Sequence, residues 1–313
     1  MSQVVRTRVI RIGSRGSLLA LWQAEHVAGL LRGRRYAVEI EVIRTTGDRL
    51  QEVTFAQVGS KGMFTLEIEE ALAAGRIDLA VHSLKDLPTE LPEGFAIRAT
   101  PKRVDARDVL VSRDFVSLQE LPEGARVGTS SLRRRAQLRA IRPDLEYVEF
   151  RGNVDTRLRK LGDGQAEAIV LAAAGLDRLE KTEWIRERLE PEVVCPAAGQ
   201  GALGIEIRAG DGRIDEVVAF LDDADTRFAV TAERVALAAL GGGCQVPIGV
   251  HCRRSSIGFE ILGAVADPDP SSISGRVMRS RAVGEDAEEL GRAVAADLLK
   301  QGAAELFEGI GTH

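Results

Sequence analysis

The sequence predicts an α/β protein in which two similar α/β domains are followed by a small C-terminal α+β domain. The first observation is length, because 313 residues exceed a typical single domain and can form two or three cores. The second is a unit of strand, glycine, hydroxyl-rich turn, arginine and helix that occurs twice, near residues 13 and 128. The third is a fainter echo between 75–81 and 164–170, where a helix exit precedes a buried strand.

The first copy of the repeated unit begins with a strand at 9–13. A tight loop at 14–17 follows, and apolar residues at helical spacing then predict a helix over 18–31. Such a helix start presents backbone N–H groups and the positive end of a helix dipole, which favours binding of an anion. Arg15 and Ser17 lie in this loop, although Ser17 taken alone is better explained as an ordinary N-cap.

The segment 47–62 is long and weakly patterned, and it precedes a helix that begins near 63–65. Two interpretations stay open for it. It is either a solvated connector or a mobile lid over a ligand cleft, since its length and flanking glycines suit both.

The motif 82–88 follows a buried strand, so its polar side chains emerge at the carboxyl end of the sheet, where open α/β sheets bind ligands. Asp86 lies beside Lys85, and an ordinary surface ion pair is one interpretation. The alternative is a carboxylate that acts as general acid and electrostatic partner of a developing cation. The position of the motif alone favours neither.

The second copy of the unit consists of a strand at 126–128, the hydroxyl turn 129–131 and a helix that begins at 132. Ser131, like Ser17, is by itself an ordinary N-cap. Two such helix starts that face each other across a domain cleft, with several arginines beside them, favour a polyanionic ligand. The arginines expected on this surface are Arg15, Arg133, Arg134, Arg151 and Arg157.

The domain boundaries follow from two candidate crossings of the chain, a hinge at 101–105 and a second crossing at 196–201. The predicted domains are residues 1–100 with 200–219, residues 106–195, and residues 224–313. In the last of these the sequence predicts a helix at 225–240, strands around 247–253, 258–266 and 275–282, and a helix near 285–302.

Cys244 lies in the most unusual loop of the chain, directly after three consecutive glycines. Those glycines contribute no core and cost backbone entropy, which suggests an unusual backbone beside a bulky group. A free thiol in such a loop can form a covalent bond. Cys195 and Cys252 are expected to be small core residues, and the four histidines have no spacing typical of a zinc site.

Composition disfavours several classes of protein. Net charge is −5 and aromatic residues make up 4% of the chain, so neither a basic surface nor stacking platforms for nucleic acid are expected. No run of about 18 uncharged apolar residues predicts a membrane helix, and no secretory signal is recognised. We therefore expect a cytosolic protein. Only six of its 42 basic residues are lysines, so arginine forks that grip carboxylates are abundant.

Seven motifs in this order make the sequence similar to the porphobilinogen deaminase, or hydroxymethylbilane synthase, family. The resemblance extends over nearly the whole chain and is weakest after about Cys252. The motifs are 15–17 with 21–23, 62–64, 81–86, 128–134, 151–154, 196–201 and 241–249.

This resemblance implies that the first two domains are of the type II periplasmic-binding-protein kind. It also implies a dipyrromethane cofactor, two linked pyrroles attached to Cys244 through a thioether. The family joins four porphobilinogen units head to tail, releases ammonia each time and hydrolyses off hydroxymethylbilane. The implied partners are porphobilinogen and the growing polypyrrole, in a monomer that passes its product to uroporphyrinogen-III synthase.

The resemblance also implies roles for individual residues. Asp86 would be the catalytic group, which hydrogen-bonds pyrrole N–H groups, stabilises the cation and assists proton transfer. The cofactor would be bound by Cys244, Ser83, Lys85, Thr129, Ser131, Arg133, Arg134 and Arg157. The substrate would be bound by Arg15, Ser17, Arg151, Arg178, Gln200, Lys61 and Phe64.

Two positions depart from the family pattern. Gln57 stands where many relatives have a lysine in the proposed lid. Asp155 is a negative charge close to two proposed carboxylate-binding arginines, and it either orients Arg157 or faces solvent. Two other classes remain as alternatives. A solute-binding protein for a polycarboxylate gives Cys244 no role, and a ligand-responsive regulator of nucleic acid needs a DNA-binding module that the sequence does not provide.

Overall fold

The computed structural model describes residues 9–46, 65–242, 246–267 and 276–306. The chain divides into two compact units. Unit 1 comprises Met1–Lys102 and Leu203–Asp223, and unit 2 comprises Arg103–Ala202 and Ala224–His313. The predicted second and third domains thus share a unit, and their separation into two domains stays a prediction. Within the described ranges, no helix has the length and apolar character needed to span a bilayer.

Unit 1 is built on a five-stranded sheet in the part of the chain that the structure describes, with the order β2-β1-β3-β10-β4. β1 runs parallel to β2 and β3, whereas β10 runs antiparallel to β3 and β4. Numbered in chain order, its strands are β1 Ile10–Ser14, β2 Val38–Val42, β3 Leu79–Ser83, β4 Phe95–Ala99 and β10 Leu203–Arg208. Its helices are α1 Leu18–Gly33, α2 Leu66–Ala73 and α6 Gly212–Val218.

The two faces of this sheet bury different clusters because side chains alternate along a strand. Leu79 and Val81 of β3 pack in the cluster formed with α1. Ala80, between them, packs in the cluster formed with α2, beside Ile68. The next residue on the α2 face of β3 is a histidine, which is 7% exposed. Polar residues at the carboxyl end of β3 are therefore directed to both faces of the sheet.

Unit 2 repeats this architecture with the order β7-β6-β8-β5-β9. β6 is parallel to β7 and β8, and β5 is antiparallel to β8 and β9. The strands are β5 Asp108–Ser112, β6 Arg126–Gly128, β7 Glu146–Val148, β8 Ala168–Ala172 and β9 Ile185–Leu189. The helices are α3 Leu132–Ile141, α4 Val154–Gly162 and α5 Ala173–Arg178. The prediction of two similar α/β folds is confirmed by the matching strand orders.

The glycines of the repeated unit occupy equivalent places, at the ends of β1 and β6. A Cβ on Gly13 would collide with the side chain of Ile77, and a Cβ on Gly128 would collide with Phe150. At Gly128 a Cβ would displace the ring of Phe150 at its base, whereas at Gly13 the terminal methyl of Ile77 would have to move, so the repeated glycine reflects close packing near the end of each strand.

The C-terminal part of unit 2 is α+β, as predicted. Its sheet has the antiparallel order β11-β12-β13, and both of its helices pack against that sheet. The elements are α7 Ala224–Ala239, β11 Ile248–Ser255, β12 Gly258–Ala266, β13 Val277–Gly284 and α8 Ala287–Lys300. Cys195 packs against Leu262 and Ala264 of β12, which joins this sheet to the preceding part of the unit.

Candidate active site

A pocket in unit 1 brings together the start of α1 and the end of β3. Six of the residues that line it carry the polar groups of interest: Arg15, Ser17, Gln23, His82, Ser83 and Asp86. Four of them, Arg15, Ser17, Ser83 and Asp86, were predicted as site residues from the sequence. The pocket therefore contains both the proposed catalytic carboxylate and the proposed anion-binding loop.

Ser17 is the N-cap of α1. Its backbone is extended, and its Oγ accepts a hydrogen bond from the N–H of Ala20 at 3.2 Å. The N-cap interpretation is correct, and the residue also lines the pocket. Because α1 has 16 residues, its first turn presents N–H groups and a full helix dipole beside Arg15. This arrangement suits a carboxylate ligand.

Asp86 is exposed because the chain turns sharply after β3. The buried strand ends at Ser83, and a 3₁₀ turn, Leu84–Asp86, follows. Leu84 and Leu87 are buried on either side of the turn and anchor it, whereas Asp86 is exposed and lines the pocket. Among the described residues, none forms a hydrogen bond or ion pair with the Asp86 carboxylate. Its oxygens are thus available to a ligand.

Gln23 is a pocket residue that the site prediction missed. It is 2% exposed, lies one turn inside α1, and donates a hydrogen bond from Nε2 to Ser83 Oγ at 2.8 Å. Since Ser83 Oγ accepts this bond, its own hydroxyl hydrogen is left to donate elsewhere. A buried glutamine one turn after the N-cap was the available signal, because buried polar side chains require partners.

The second helix start, in unit 2, has the same local design. Ser131 is the N-cap of α3, and its Oγ accepts from the N–H of Arg134 at 3.4 Å. Thr129 is fully buried, and its Oγ1 accepts from the N–H of Ser131 at 3.2 Å. The arrangement of these two helix starts around one cleft stays a prediction.

Arg133 and Arg134 converge on a buried carboxylate, Asp108 at the start of β5. Arg133 donates to Asp108 Oδ2 at 2.7 Å, and Arg134 donates to Oδ1 from Nη2 at 2.7 Å and from Nε at 3.0 Å. Gln200 donates to the same Oδ1 at 2.9 Å. Burial alone would raise the pKa of Asp108, but the two guanidinium groups hold it well below its usual range. This cluster organises three predicted ligand-binding residues around one carboxylate.

Sequence reasoning missed Asp108. The signal was a charged residue directly before the apolar run 109–111, because an acidic residue at the start of a buried strand needs a charged partner. Which arginines would reach it depends on how α3 packs against β5 and on the path of the chain around residue 200, and neither follows from spacing.

Unit 2 holds more buried positive charge than Asp108 neutralises. Arg157 is half-buried and donates from Nε to the carbonyl of Gly152 at 2.7 Å, with no carboxylate partner among the residues that the structure describes. Burial and the charge of Arg134 lower the pKa of Arg157 to about 10. Burial also lowers the pKa of Arg178 to about 10. Desolvated guanidinium groups of this kind favour an anionic ligand.

Two predicted features have partners of their own. Arg151 donates from Nε to Glu149 at 2.7 Å, on a face where Glu149 also accepts from Arg135 at 3.0 Å. Asp155 lies 3.3 Å from Lys181 Nζ, with its side chain partly exposed. Two roles were open for Asp155, orienting Arg157 or facing solvent; its partly exposed carboxylate is directed to a lysine outside α4.

Two of the three cysteines lie among the described residues. Cys195 and Cys252 are buried, as expected of core residues, and burial raises the pKa of both thiols. Cys244, Lys61, Phe64 and Gln57 lie outside the described residues, and their proposed roles stay predictions. Lys85 is half-buried and lies in the 3₁₀ turn, Leu84–Asp86, that follows β3.

We expect Asp108→Asn to destabilise the protein by about 3–5 kcal/mol, because it leaves two buried guanidinium groups without their carboxylate. Urea unfolding measures the change in the free energy of unfolding. The matched control is Asp114→Asn, an exposed aspartate just after the same strand, for which a change within about 0.5 kcal/mol is expected. A loss below about 1 kcal/mol for Asp108→Asn would contradict the assignment of Asp108 as the counter-ion.

Comparison with known proteins gives consistent matches. A model described as "Porphobilinogen deaminase, dipyromethane cofactor binding domain" matches residues 10–216, and one described as "Porphobilinogen deaminase, C-terminal domain" matches residues 227–300. The chain is 48% identical over 309 residues to a porphobilinogen deaminase from Syntrophobacter fumaroxidans, covering 97% of this chain and 98% of that protein. It is 49% identical over 301 residues to one from Nitratidesulfovibrio vulgaris strain Miyazaki F, covering 95% of each.

Among solved structures, the chain is similar at a low level to a putative methionine-binding lipoprotein from Bacillus subtilis. That match has 12% identity and a TM-score of 0.43, and it covers 70% of this chain and 92% of the other.

Proposed function

Since the chain belongs to the porphobilinogen deaminase family, we propose that it joins four porphobilinogen units head to tail, releasing ammonia at each addition and finally hydroxymethylbilane. It is thereby a transferase of tetrapyrrole biosynthesis. The observation that carries this proposal is the pocket of unit 1, in which the exposed carboxylate of Asp86 lies with the anion-binding start of α1. Porphobilinogen presents carboxylates and a protonated aminomethyl group, and this pocket offers a partner for each.

Asp86 acts as the electrostatic and proton-transfer group. Departure of ammonia breaks the carbon–nitrogen bond of the substrate and leaves an electron-poor methylene-pyrrole cation. A carboxylate that hydrogen-bonds the pyrrole N–H stabilises this charge as it develops. When the new carbon–carbon bond has formed, the same carboxylate accepts the proton that the attacked carbon loses. Asp86 is exposed and has no partner in the part of the chain that the structure describes, so its oxygens are available for both tasks.

The acetate and propionate of the substrate are held by the start of α1 and the end of β3. Arg15 supplies charge, and the first turn of α1 supplies backbone N–H groups beyond the Ser17 cap. Ser83 donates its hydroxyl hydrogen, because Gln23 already occupies its oxygen as a donor. Arg151, Lys61 and Phe64 complete the proposed substrate-binding set.

The residues of unit 2 fit a dipyrromethane cofactor, whose two pyrroles carry carboxylates and N–H groups. Arg157 is a desolvated cation without a carboxylate partner among the described residues, and Arg133 and Arg134 retain N–H donors beyond those that Asp108 accepts. Gln200 Oε1 is buried and has no hydrogen-bond partner among the described residues, so it can accept from an N–H donor.

The residues proposed to hold the cofactor are Cys244, Ser83, Lys85, Thr129, Ser131, Arg133, Arg134 and Arg157, with Arg178 and Gln200 assigned to the substrate side. When bound, the cofactor supplies the nucleophilic pyrrole carbon to which the first substrate unit is joined. Cys244 holds it through a thioether, and the arginines neutralise its carboxylates.

Three further statements are part of the proposal. The protein works as a monomer, its product passes to uroporphyrinogen-III synthase, and it works in the cytoplasm. The cytoplasmic location fits the proposed attachment chemistry. Cys244 must stay a free thiol until the cofactor is attached, and the cytoplasm is a reducing compartment that keeps thiols free.

The proposal is tested by incubating purified protein with porphobilinogen and measuring hydroxymethylbilane by mass spectrometry and ammonia by an enzymatic assay. We expect four ammonia molecules for each hydroxymethylbilane. Saturable binding of porphobilinogen without turnover would instead support the solute-binding alternative and overturn the proposed activity.

Arg157→Gln tests the cofactor site in unit 2. Removing the guanidinium that pairs with a desolvated carboxylate of the cofactor costs roughly 2–5 kcal/mol. We therefore expect either a fall of at least about 30-fold in kcat/KM or a smaller fraction of chains that carry two pyrroles. The control is Arg159→Gln on the exposed face of α4. In cofactor-free protein, Arg157→Gln should not lower the free energy of unfolding, because it removes a buried charge that lacks a counter-ion. Normal loading and turnover by this variant would exclude Arg157 from the site.

A further inference from the structure

A buried glutamine occupies the same place in both copies of the repeated helix start. Gln23 follows the N-cap Ser17 by six residues, and Gln137 follows the N-cap Ser131 by six residues. Their exposures are 2% and 0%. A buried side-chain amide requires partners for its N–H groups and its oxygen. Gln137 has no part in the function proposed above, so its partners indicate what it does.

The two glutamines have different partners. In unit 1 the central strand of the sheet, β3, ends at Ser83, whose hydroxyl accepts from Gln23. The central strand of unit 2, β8, ends at Ala172, which offers no hydroxyl. Gln137 instead contacts the backbone of Cys195.

Gln137 holds the backbone of Cys195 through both of its polar groups. Its Oε1 accepts from the N–H of Cys195 at 2.8 Å, and its Nε2 donates to the carbonyl of Cys195 at 3.1 Å. Both residues have 0% exposure. Loss of this amide would leave a buried backbone N–H without its partner, which is costly. Gln137 therefore fixes the position of this peptide group.

The same carbonyl of Cys195 also holds Arg133. Nη1 of Arg133 donates to this carbonyl at 2.6 Å and to Asp108 Oδ2 at 2.7 Å, so both of its hydrogens are used. Nε and Nη2 of Arg133 form no hydrogen bond among the residues that the structure describes, although the side chain is only 6% exposed. Of the five N–H donors of a guanidinium, three thus remain for a ligand.

The segment that contains Cys195 is held from its other side by β11. The N–H of Val250 donates to the carbonyl of Pro196 at 2.8 Å. A Cβ on Gly249 would collide with the carbonyl oxygen of Cys195, so glycine allows β11 to approach this peptide closely. The carbonyl that the amide and the guanidinium share is therefore fixed between α3 and β11.

We propose that Gln137 is a positioning residue for Arg133. By fixing the carbonyl of Cys195, it directs the Nε–Nη2 edge of Arg133 toward a carboxylate of the cofactor. The placement of the guanidinium does not depend on the function proposed above, whereas the identity of the ligand as dipyrromethane rests on it. A guanidinium binds a carboxylate with two parallel hydrogen bonds only when its plane is correctly oriented. Because Nη1 is held by Cys195 and Asp108, this plane is set before a ligand binds.

The first experiment observes the guanidinium and needs no turnover. ¹H–¹⁵N NMR of the full-length protein as purified detects the Arg133 side chain, whose signals are assigned with Arg133→Lys. Gln137→Met keeps the approximate volume of the side chain but removes both bonds to Cys195. Hydrogen exchange at Nη1 of Arg133 should then be about 3- to 10-fold faster, the equivalent of one net hydrogen bond. Unchanged exchange in Gln137→Met would overturn the positioning role.

The matched control is Leu138→Ala on the same helix. Leu138 is 0% exposed and packs in an apolar core with Val127 of β6, so this variant destabilises the packing of α3 without removing a hydrogen bond to Cys195. Exchange at Arg133 should stay as in wild type. Equal acceleration in Leu138→Ala and Gln137→Met would indicate a general loosening of α3 and would exclude a specific role of Gln137.

Gln137→Glu keeps the measurement decisive if Gln137→Met does not fold. Its carboxylate can still accept from the N–H of Cys195, but it has no hydrogen to donate to the carbonyl and it attracts the guanidinium. Exchange at Nη1 of Arg133 should again differ from wild type. Wild-type exchange in this variant would contradict the proposal.

The second experiment tests the consequence for the proposed function with a double-mutant cycle. The fraction of chains that carry two pyrroles and kcat/KM with porphobilinogen are measured for Gln137→Met, Arg133→Lys and the double variant. Lysine keeps a charge beside Asp108 but has no planar edge for a carboxylate. Gln137→Met should lower kcat/KM about 10-fold in the wild-type background and less than about twofold in Arg133→Lys, because coupled residues are not additive.

The outcomes of this cycle separate the two proposals. Losses that multiply in the double variant would exclude action of Gln137 through Arg133. If the wild-type protein forms no hydroxymethylbilane, the proposed function fails, and the NMR experiment still decides whether Gln137 positions the guanidinium.

Discussion

Replacing Cys244 with alanine is expected to give a folded protein that carries no dipyrromethane and produces no hydroxymethylbilane. Cys244 is the proposed point of attachment, and the other two thiols cannot substitute for it. Cys195 and Cys252 are buried, and burial raises the pKa of both, so neither provides a reactive thiolate at neutral pH. Intact-protein mass spectrometry should show two pyrrole units on the wild-type chain and none on Cys244→Ala.

The bond itself can be identified in the same experiment. A thioether survives denaturation and thiol reductants, because thiolate attack exchanges disulfides only. The matched control is Cys252→Ala, which should load the cofactor normally. An unmodified Cys244 peptide from fully active enzyme, or a pyrrole adduct mapped to Cys195 or Cys252, would refute the attachment site.

Replacing Asp86 with asparagine is expected to lower kcat at least about 100-fold while leaving the fold intact. Asparagine keeps the size of the side chain but cannot stabilise a cation by charge or accept a proton. Stability should not change, because Asp86 is exposed and has no partner among the described residues. The matched control is Glu90→Gln, an exposed carboxylate four residues further on, which should retain activity.

The measurement is the rate at which purified Asp86→Asn forms hydroxymethylbilane at saturating porphobilinogen. If Asp86 acts mainly in the transition state, kcat and kcat/KM should fall together and KM should change little. A rise in KM at constant kcat would mean that Asp86 only binds substrate. Near-normal turnover would remove Asp86 from the mechanism.

Much of the fold could be predicted from local pattern. The repeated unit at 13 and 128 gave both helix starts, and Ser17 and Ser131 are the N-caps of α1 and α3. The strand that precedes Asp86 and the elements after residue 224 also followed from periodicity. These features depend on neighbours in the chain, where apolar spacing and capping residues act directly.

The contacts of the arginines could not be predicted in this way. Arg133 and Arg134 were expected to face a ligand, and both reach Asp108, more than 20 residues earlier in the chain. Asp155 was expected either to orient Arg157 or to face solvent, and its partly exposed carboxylate contacts Lys181. A charged side chain pairs with an opposite charge that lies close to it in the folded structure. The separation of the two residues along the sequence does not reveal which charge that will be.

The sequence by itself determined the α/β class, the two related helix starts, the position of Asp86 after a buried strand and the core character of Cys195 and Cys252. These depend on short-range patterns of apolar, capping and glycine residues. Only the tertiary structure decided that Asp108 neutralises Arg133 and Arg134, that Arg157 lacks a carboxylate among the described residues, and that His82 of β3 meets Glu206 of β10. The physical reason is that a sheet brings distant strands side by side, so buried charges find partners that no local spacing specifies.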